Sequence, residues 1–292
     1  MADPARSPPT GAGQSRGGLG AELPLRAAAG VTLMAAALIT AWAGGFFFLA
    51  FWLIAAALAL WEWQELIGGE RLPARLGVGA LTLLAASPFA LHGSAKSALA
   101  TLAVGAVLTG LVAGPDRRAR LWSGAGVLYA GAIVASPVLL RGSPAHGLHA
   151  VLWLFAVVWG TDIMAFFGGR LIGGPKLWGR VSPGKTWSGA VVGALTGALC
   201  GGAVGLFAAP AGAPLTPILL LGLAASVVAQ LGDLFESAVK RRFDAKDSSH
   251  LIPGHGGVMD RLDGFVAAAT FAAFVAWSRS SGDWIAGGLF QW

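Results

Sequence analysis

The stretch from Ser237 to Asp263, SAVKRRFDAKDSSHLIPGHGGVMDRLD, gathers Lys240, Arg241, Arg242, Asp244, Lys246, Asp247, Asp260, Arg261 and Asp263 into a chain in which only 12% of residues are charged. Cations and carboxylates crowded beside an apolar run are the parts of a phosphate-and-metal site at a membrane surface. Just upstream, in AQLGDLFESAVKRR, Asp233, Glu236 and Lys240 stand at i, i+3 and i+7, along one face of a helix. Downstream, Gly254, Gly256 and Gly257 let backbone approach a ligand closely, and Asp260 and Asp263 follow where another helix begins. Either of those two carboxylates alone has an ordinary reading as a complement to the helix dipole. Together with Asp233 they make an acidic set converging where two spans reach the interface, suited to a hard divalent cation. His250 and His255 are available as ligands or acids, although a histidine in a glycine loop more often positions backbone or caps a turn.

A second polar stretch runs from Gly160 to Gly189, GTDIMAFFGGRLIGGPKLWGRVSPGKTWSG. Asp162 lies within or at the end of an apolar segment, where a carboxylate is costly and faces a partner or a wet cavity. The plainer alternative is a packing pair with Arg170 or Lys185. Gly179 to Thr186, GRVSPGKT, fits the expression G-x-x-x-x-G-K-[ST], but a P-loop needs a preceding buried strand, and here membrane helix and glycine loop precede it. What remains is local: Ser182-Pro183 predicts a helix start, and such a terminus with Lys185 beside it favours an anion.

The elements that must carry these groups are set by hydropathy. The 292 residues are 55% hydrophobic, with a mean hydropathy of +0.69, which predicts an all-α polytopic integral membrane protein. Ala27 to Trp61 and Thr186 to Gly232 contain no charged residue; each is long enough for two spans at about 1.5 Å per residue. The expected spans are 27–44, 46–66, 76–91, 96–113, 121–140, 148–168, 187–209, 215–239 and 261–279, about nine transmembrane helices. With this count all of the 20 lysines and arginines except Lys96, Arg141 and Arg279 fall on the N-terminal side. The positive-inside rule then puts the N-terminus and the polar loops in the cytoplasm of an inner (cytoplasmic) membrane. Residues 1–24, rich in Pro, Gly and Ser, read as a disordered cytoplasmic tail, 25–145 as N-terminal membrane helices and 146–292 as the catalytic region. The net charge of +6 is accounted for by topology rather than by nucleic acid. The single Cys200 excludes an intramolecular disulfide and reads as a packing residue.

At Ser237, Val239, Lys240, Arg241, Lys246, Asp247, Ser249, Ile252, Pro253, His255, Gly256, Gly257, Val258, Asp260, Arg261, Leu262 and Asp263 the chain resembles the phosphatidate cytidylyltransferases, or CDP-diacylglycerol synthases. Asp162, Gly169, Arg170, Gly173, Lys176, Ser182, Pro183, Lys185 and Thr186 look like that family's upstream stretch, with Phe166 standing where many members have tyrosine. The likeness is strong over roughly residues 150–280; the first five spans match only in hydropathy. It implies transfer of CMP from CTP to phosphatidate with Mg2+, releasing pyrophosphate. On that basis Asp233, Asp260 and Asp263 are expected at the metal, and Asp233, Asp260, Asp263, Lys240 and Arg241 form the catalytic set. Arg170, Lys176, Ser182, Lys185, Thr186, Lys246, His255, Gly256, Gly257 and Arg261 are expected to bind substrate. The alternatives are a CTP-dependent lipid-alcohol kinase, which would release CDP, and a cation-coupled transporter using Asp162 and Asp233. The oligomeric state stays open, a homodimer included.

Overall fold

The structure, a computed structural model, describes residues 19–249, 251, 256–280, 282 and 284–292, with residues 19–27 described by their backbone alone. The expected tail lies mostly outside the described residues, and helix α1 begins at Leu19. Among the described residues there are nine α-helices: α1 (Leu19–Ala43), α2 (Gly45–Leu66), α3 (Leu72–Leu91), α4 (Ala95–Val112), α5 (Arg117–Arg141), α6 (Gly147–Ile172), α7 (Trp187–Ala208), α8 (Leu215–Arg242) and α9 (Met259–Arg279). Seven of them, α2 to α8, are long and apolar enough to cross a membrane. Ala28–Ala43 of α1 is a shorter apolar stretch, and α9 carries Asp260, Arg261 and Asp263 near its start. The chain is an all-α polytopic membrane protein.

Among the described residues the two strands form a hairpin between α6 and α7, with β1 (Lys176–Trp178) antiparallel to β2 (Ser182–Thr186). The helix start expected at Ser182-Pro183 is therefore corrected. Ser182 pairs with Trp178 across the hairpin, and α7 begins only after Thr186, whose hydroxyl accepts from the Gly189 amide at 3.2 Å. Thr186 offers the same capping chemistry as Ser182, and the strand pairing claims the residues between them.

Small residues let α6 and α7 approach closely. A Cβ on Gly189 would lie 2.5 Å from the Ala165 carbonyl oxygen, and one on Gly193 2.8 Å from that of Thr161; only glycine permits this separation. Helix α5 is the central post, with 78% of its apolar window buried. Around it, Trp52 of α2 stacks on Phe265 of α9 with ring centroids 4.6 Å apart. That contact brings the second helix of the chain against the last.

The basic loops gather at one end. Arg75 of α3 reaches Ser123 of α5 at 3.4 Å, Trp63 of α2 donates to the Trp122 carbonyl at 2.9 Å, and Arg242 of α8 and Arg118 of α5 lie over the rings of Trp122 and Phe243. At the opposite end Arg141 donates to the carbonyls of Ala41 and Trp42, and Arg279 packs on Trp292.

Candidate active site

Helix α8 brings a column of charges to the basic end because Asp233, Glu236 and Lys240 share a face. Asp233, half-buried, forms an ion pair with Lys185 at the end of the hairpin. Lys240 is buried, and its Nζ lies 2.7 Å from Glu236 Oε2 and 2.5 Å from Asp260 Oδ1. An ammonium and two carboxylates withdrawn from water are tolerable only when paired in this way.

Asp260 lies in the first turn of α9. Its Oδ2 accepts from the Gly257 amide at 2.8 Å and from the amide and hydroxyl of Ser248, both at 3.0 Å. Both oxygens are thus engaged, one by Lys240 and one by the loop. Gly256 adopts φ +78°, and a Cβ there would lie 2.7 Å from Asp260 Oδ2. A Cβ on Gly257 would meet Ser248 Oγ and, at 2.5 Å, Glu62 Oε1. These two glycines are required by the close approach of carboxylates to the loop.

Asp263 accepts from the Gly264 amide at 2.7 Å and lines a cavity of about 450 Å³ between α1, α2, α6 and α9. Asp162 and Arg261 share its polar end, while Leu33, Met34, Phe51 and Trp159 represent its apolar walls. Asp162, Asp233 and Asp263 lie within electrostatic reach of one another, with Lys185 in the same field.

The remaining expected groups are surface cations and loop hydroxyls. Arg170, Lys176, Arg241 and Lys246 are exposed; Arg170 lies 6.0 Å from the ring of Phe166, and Arg241 donates to the Ala245 carbonyl at 2.9 Å. Ser182 is in β2, and the Thr186 hydroxyl caps α7 and contacts Ser188 Oγ at 3.0 Å. His255, with His250 and Gly254, lies outside the described residues. Among the described residues, no three Asp, Glu, His or Cys side chains converge closely enough to hold a metal ion by themselves. The expected carboxylates divide instead: Asp263 lines the cavity with Asp162, Asp233 pairs with Lys185 within electrostatic reach of both, and Asp260 is tied to Lys240 and the loop.

Sequence reasoning missed Glu62 and Ser248. Glu62, on α2, is fully buried and accepts from Ser248 Oγ (3.1 Å), Ser249 Oγ (2.6 Å) and the amides of Val258 and Met259 (2.7 Å each). Its signal was present: Glu62 is the first charge to follow the uncharged run from Ala27 to Trp61, and an acid so close to a span is a candidate for a role.

The profile of the cytidylyltransferase family matches residues 24–278. The chain belongs to the cytidylyltransferase family. Among its curated relatives is the phosphatidate cytidylyltransferase of Brucella abortus, 43% identical over 231 residues, which cover 78% of this chain and 83% of that protein. The enzyme of the same name from Haemophilus influenzae is 41% identical over 134 residues, 45% of this chain and 46% of that protein. The Bacillus subtilis phosphatidate cytidylyltransferase is 38% identical over 148 residues, 51% of this chain and 55% of that protein. Family membership therefore extends through the N-terminal helices, including α2 and its Glu62.

Proposed function

We propose that this chain is a nucleotidyltransferase that moves CMP from CTP to phosphatidate, giving CDP-diacylglycerol and pyrophosphate. The observation that carries the reading is an apolar cavity whose lining also bears Asp162, Arg261 and Asp263, within electrostatic reach of the Lys185–Asp233 ion pair. A water-soluble polyanion and a lipid phosphate need such a meeting point. Positive loops gathered at one end support a cytoplasmic N-terminus and a cytoplasmic active site in the inner membrane.

A phosphatidate oxygen attacks the α-phosphorus of CTP, a new P–O bond forms, and the bond to the β-phosphate oxygen breaks to release pyrophosphate. The nucleophile is already ionised, so no general base is required, and positioning with charge neutralisation supplies the rate. Arg170, Lys176, Lys185, Arg241, Lys246 and Arg261 clamp phosphate oxygens. Lys185 must exchange Asp233 for substrate, or bridge both. Ser182, Thr186 and His255 offer further hydrogen bonds, and the loop at Gly256 and Gly257 keeps its backbone close to the ligand.

Mg2+ fits the donor set, because that ion takes only one or two protein carboxylates and completes its shell with water and phosphate oxygens. Asp233 and Asp263 would hold it; Asp260 would join only by releasing Lys240 or its loop donors. The ion would supply neutralisation of charge developing on the transferred and leaving phosphates.

Purified protein in phosphatidate-containing mixed micelles, given CTP labelled at the α-phosphate, should pass label to lipid and release unlabelled pyrophosphate. Label recovered as CDP, with a phosphorylated lipid alcohol as acceptor product, would replace this reading by the kinase. Cation movement without nucleotide turnover would replace it by the transporter.

A further inference from the structure

Glu62 belongs to α2, far in sequence from the residues it holds. Its hydrogen-bond partners lie 186 to 197 residues away, and the carboxylate is fully buried. A buried carboxylate is costly unless its lone pairs are filled. Here two serine hydroxyls and two backbone amides fill them. The amides belong to Val258, the N-cap of α9, and Met259, its first residue. Valine has no side-chain acceptor, and no cap from its own side chain is formed; Glu62 supplies the missing acceptor from another helix, at the end where the dipole favours an anion.

The same carboxylate touches the loop that carries Asp260. Ser248 Oγ stands between Glu62 Oε2 and Asp260 Oδ2, at 3.1 and 3.0 Å. One hydroxyl proton serves one of them at a time, so the two acids are linked through a shared donor. From Asp260 the chain of contacts continues to Lys240 and Glu236. Glycine at 257 is what leaves room for the Glu62 carboxylate.

We propose that Glu62 is a positioning residue for the transfer reaction: it ties Ser248 and Ser249 to Val258 and Met259 at the start of α9, and thereby fixes Asp260 and Asp263 relative to α8. It touches no substrate. The inference rests on the proposed transfer, and it adds to that reading a group from the N-terminal helices.

The test is Glu62→Gln, which keeps shape but turns an NH2 toward backbone donors, together with Ser249→Ala and the double variant. Turnover is followed as α-label entering lipid, and backbone exchange of residues 248–260 is followed by mass spectrometry. Glu62→Gln should lower kcat about 30-fold or more while KM for CTP changes less than about 3-fold, because groups that act by alignment are felt in the transition state. Exchange across 248–260 should rise, with the other helices unchanged. Ser249→Ala should lower kcat about 3- to 10-fold alone and have little further effect in the Glu62→Gln background, since coupled partners are not additive. A kcat within 3-fold of the parent for Glu62→Gln, or equal fold losses for Ser249→Ala in both backgrounds, overturns the proposal. Should Glu62→Gln not fold, Ser249→Ala decides: unchanged kcat and unchanged exchange refute it. The parent protein is assayed alongside; its failure to label lipid would overturn the transfer reading, and exchange at 248–260 would still report on the anchor.

Discussion

Replacing Lys240 by methionine tests the buried charge column most directly. The Lys240 side chain is 11% exposed, and its partners Glu236 and Asp260 are 0% and 9% exposed. Glu236 oxygens have no hydrogen-bond partner apart from this ammonium among the described residues. Methionine conserves the stem but leaves two carboxylates facing each other without a cation. Removing one member of a buried ion pair costs about 3–5 kcal/mol. At roughly 2–4 °C per kcal/mol for chains of a few hundred residues, the melting midpoint should fall by about 6–20 °C. The assay is thermal unfolding of purified protein in detergent, with Lys246→Met as a control from the exposed surface that should leave the midpoint unchanged. Adding Glu236→Leu to Lys240→Met should restore about half of the loss, because one of the stranded anions is then gone. A fall of less than 3 °C for the single variant, or no recovery in the double, would refute the claim that this column is desolvated and mutually dependent.

Gly257→Ala forces a methyl group against Ser248 and the Glu62 carboxylate; overpacking of about 1–3 kcal/mol should lower the midpoint, and a crystal-free check is loss of lipid labelling out of proportion to loss of folded protein. Chelation of divalent cations should stop turnover and Mg2+ should restore it, with Asp233→Asn raising the Mg2+ concentration for half-activation by about 10-fold or more; an unchanged Mg2+ response would remove Asp233 from that role. Ala55→Phe places a ring in the cavity wall and should raise KM for phosphatidate several-fold while leaving KM for CTP unchanged, measured by varying each substrate in mixed micelles.

The spans were legible because charge interrupts the apolar runs where helices end: α2 was expected at 46–66 and is found at Gly45–Leu66, and α8 at 215–239 and is found at Leu215–Arg242. The i, i+3, i+7 spacing of Asp233, Glu236 and Lys240 likewise announced one face. The hairpin was not legible, since Ser182-Pro183 carries the same local signal as a true helix start and only the pairing with β1 tells them apart. Nor was the split among the acids, or Glu62 at their base. Those depend on which distant helices touch, and hydropathy records length without recording neighbours.

The hairpin is fastened at its foot. The Trp187 amide donates to the Pro175 carbonyl at 3.1 Å, and the Ser188 hydroxyl donates to that of Gly173. Below it, α6 and α7 approach backbone to backbone at Gly189 and Gly193. Lys185 therefore stands on a stiff strut rather than a swinging arm. Its ordering entropy is spent when the chain folds, so on the proposed reading an arriving triphosphate would forfeit less of its affinity to immobilising this group.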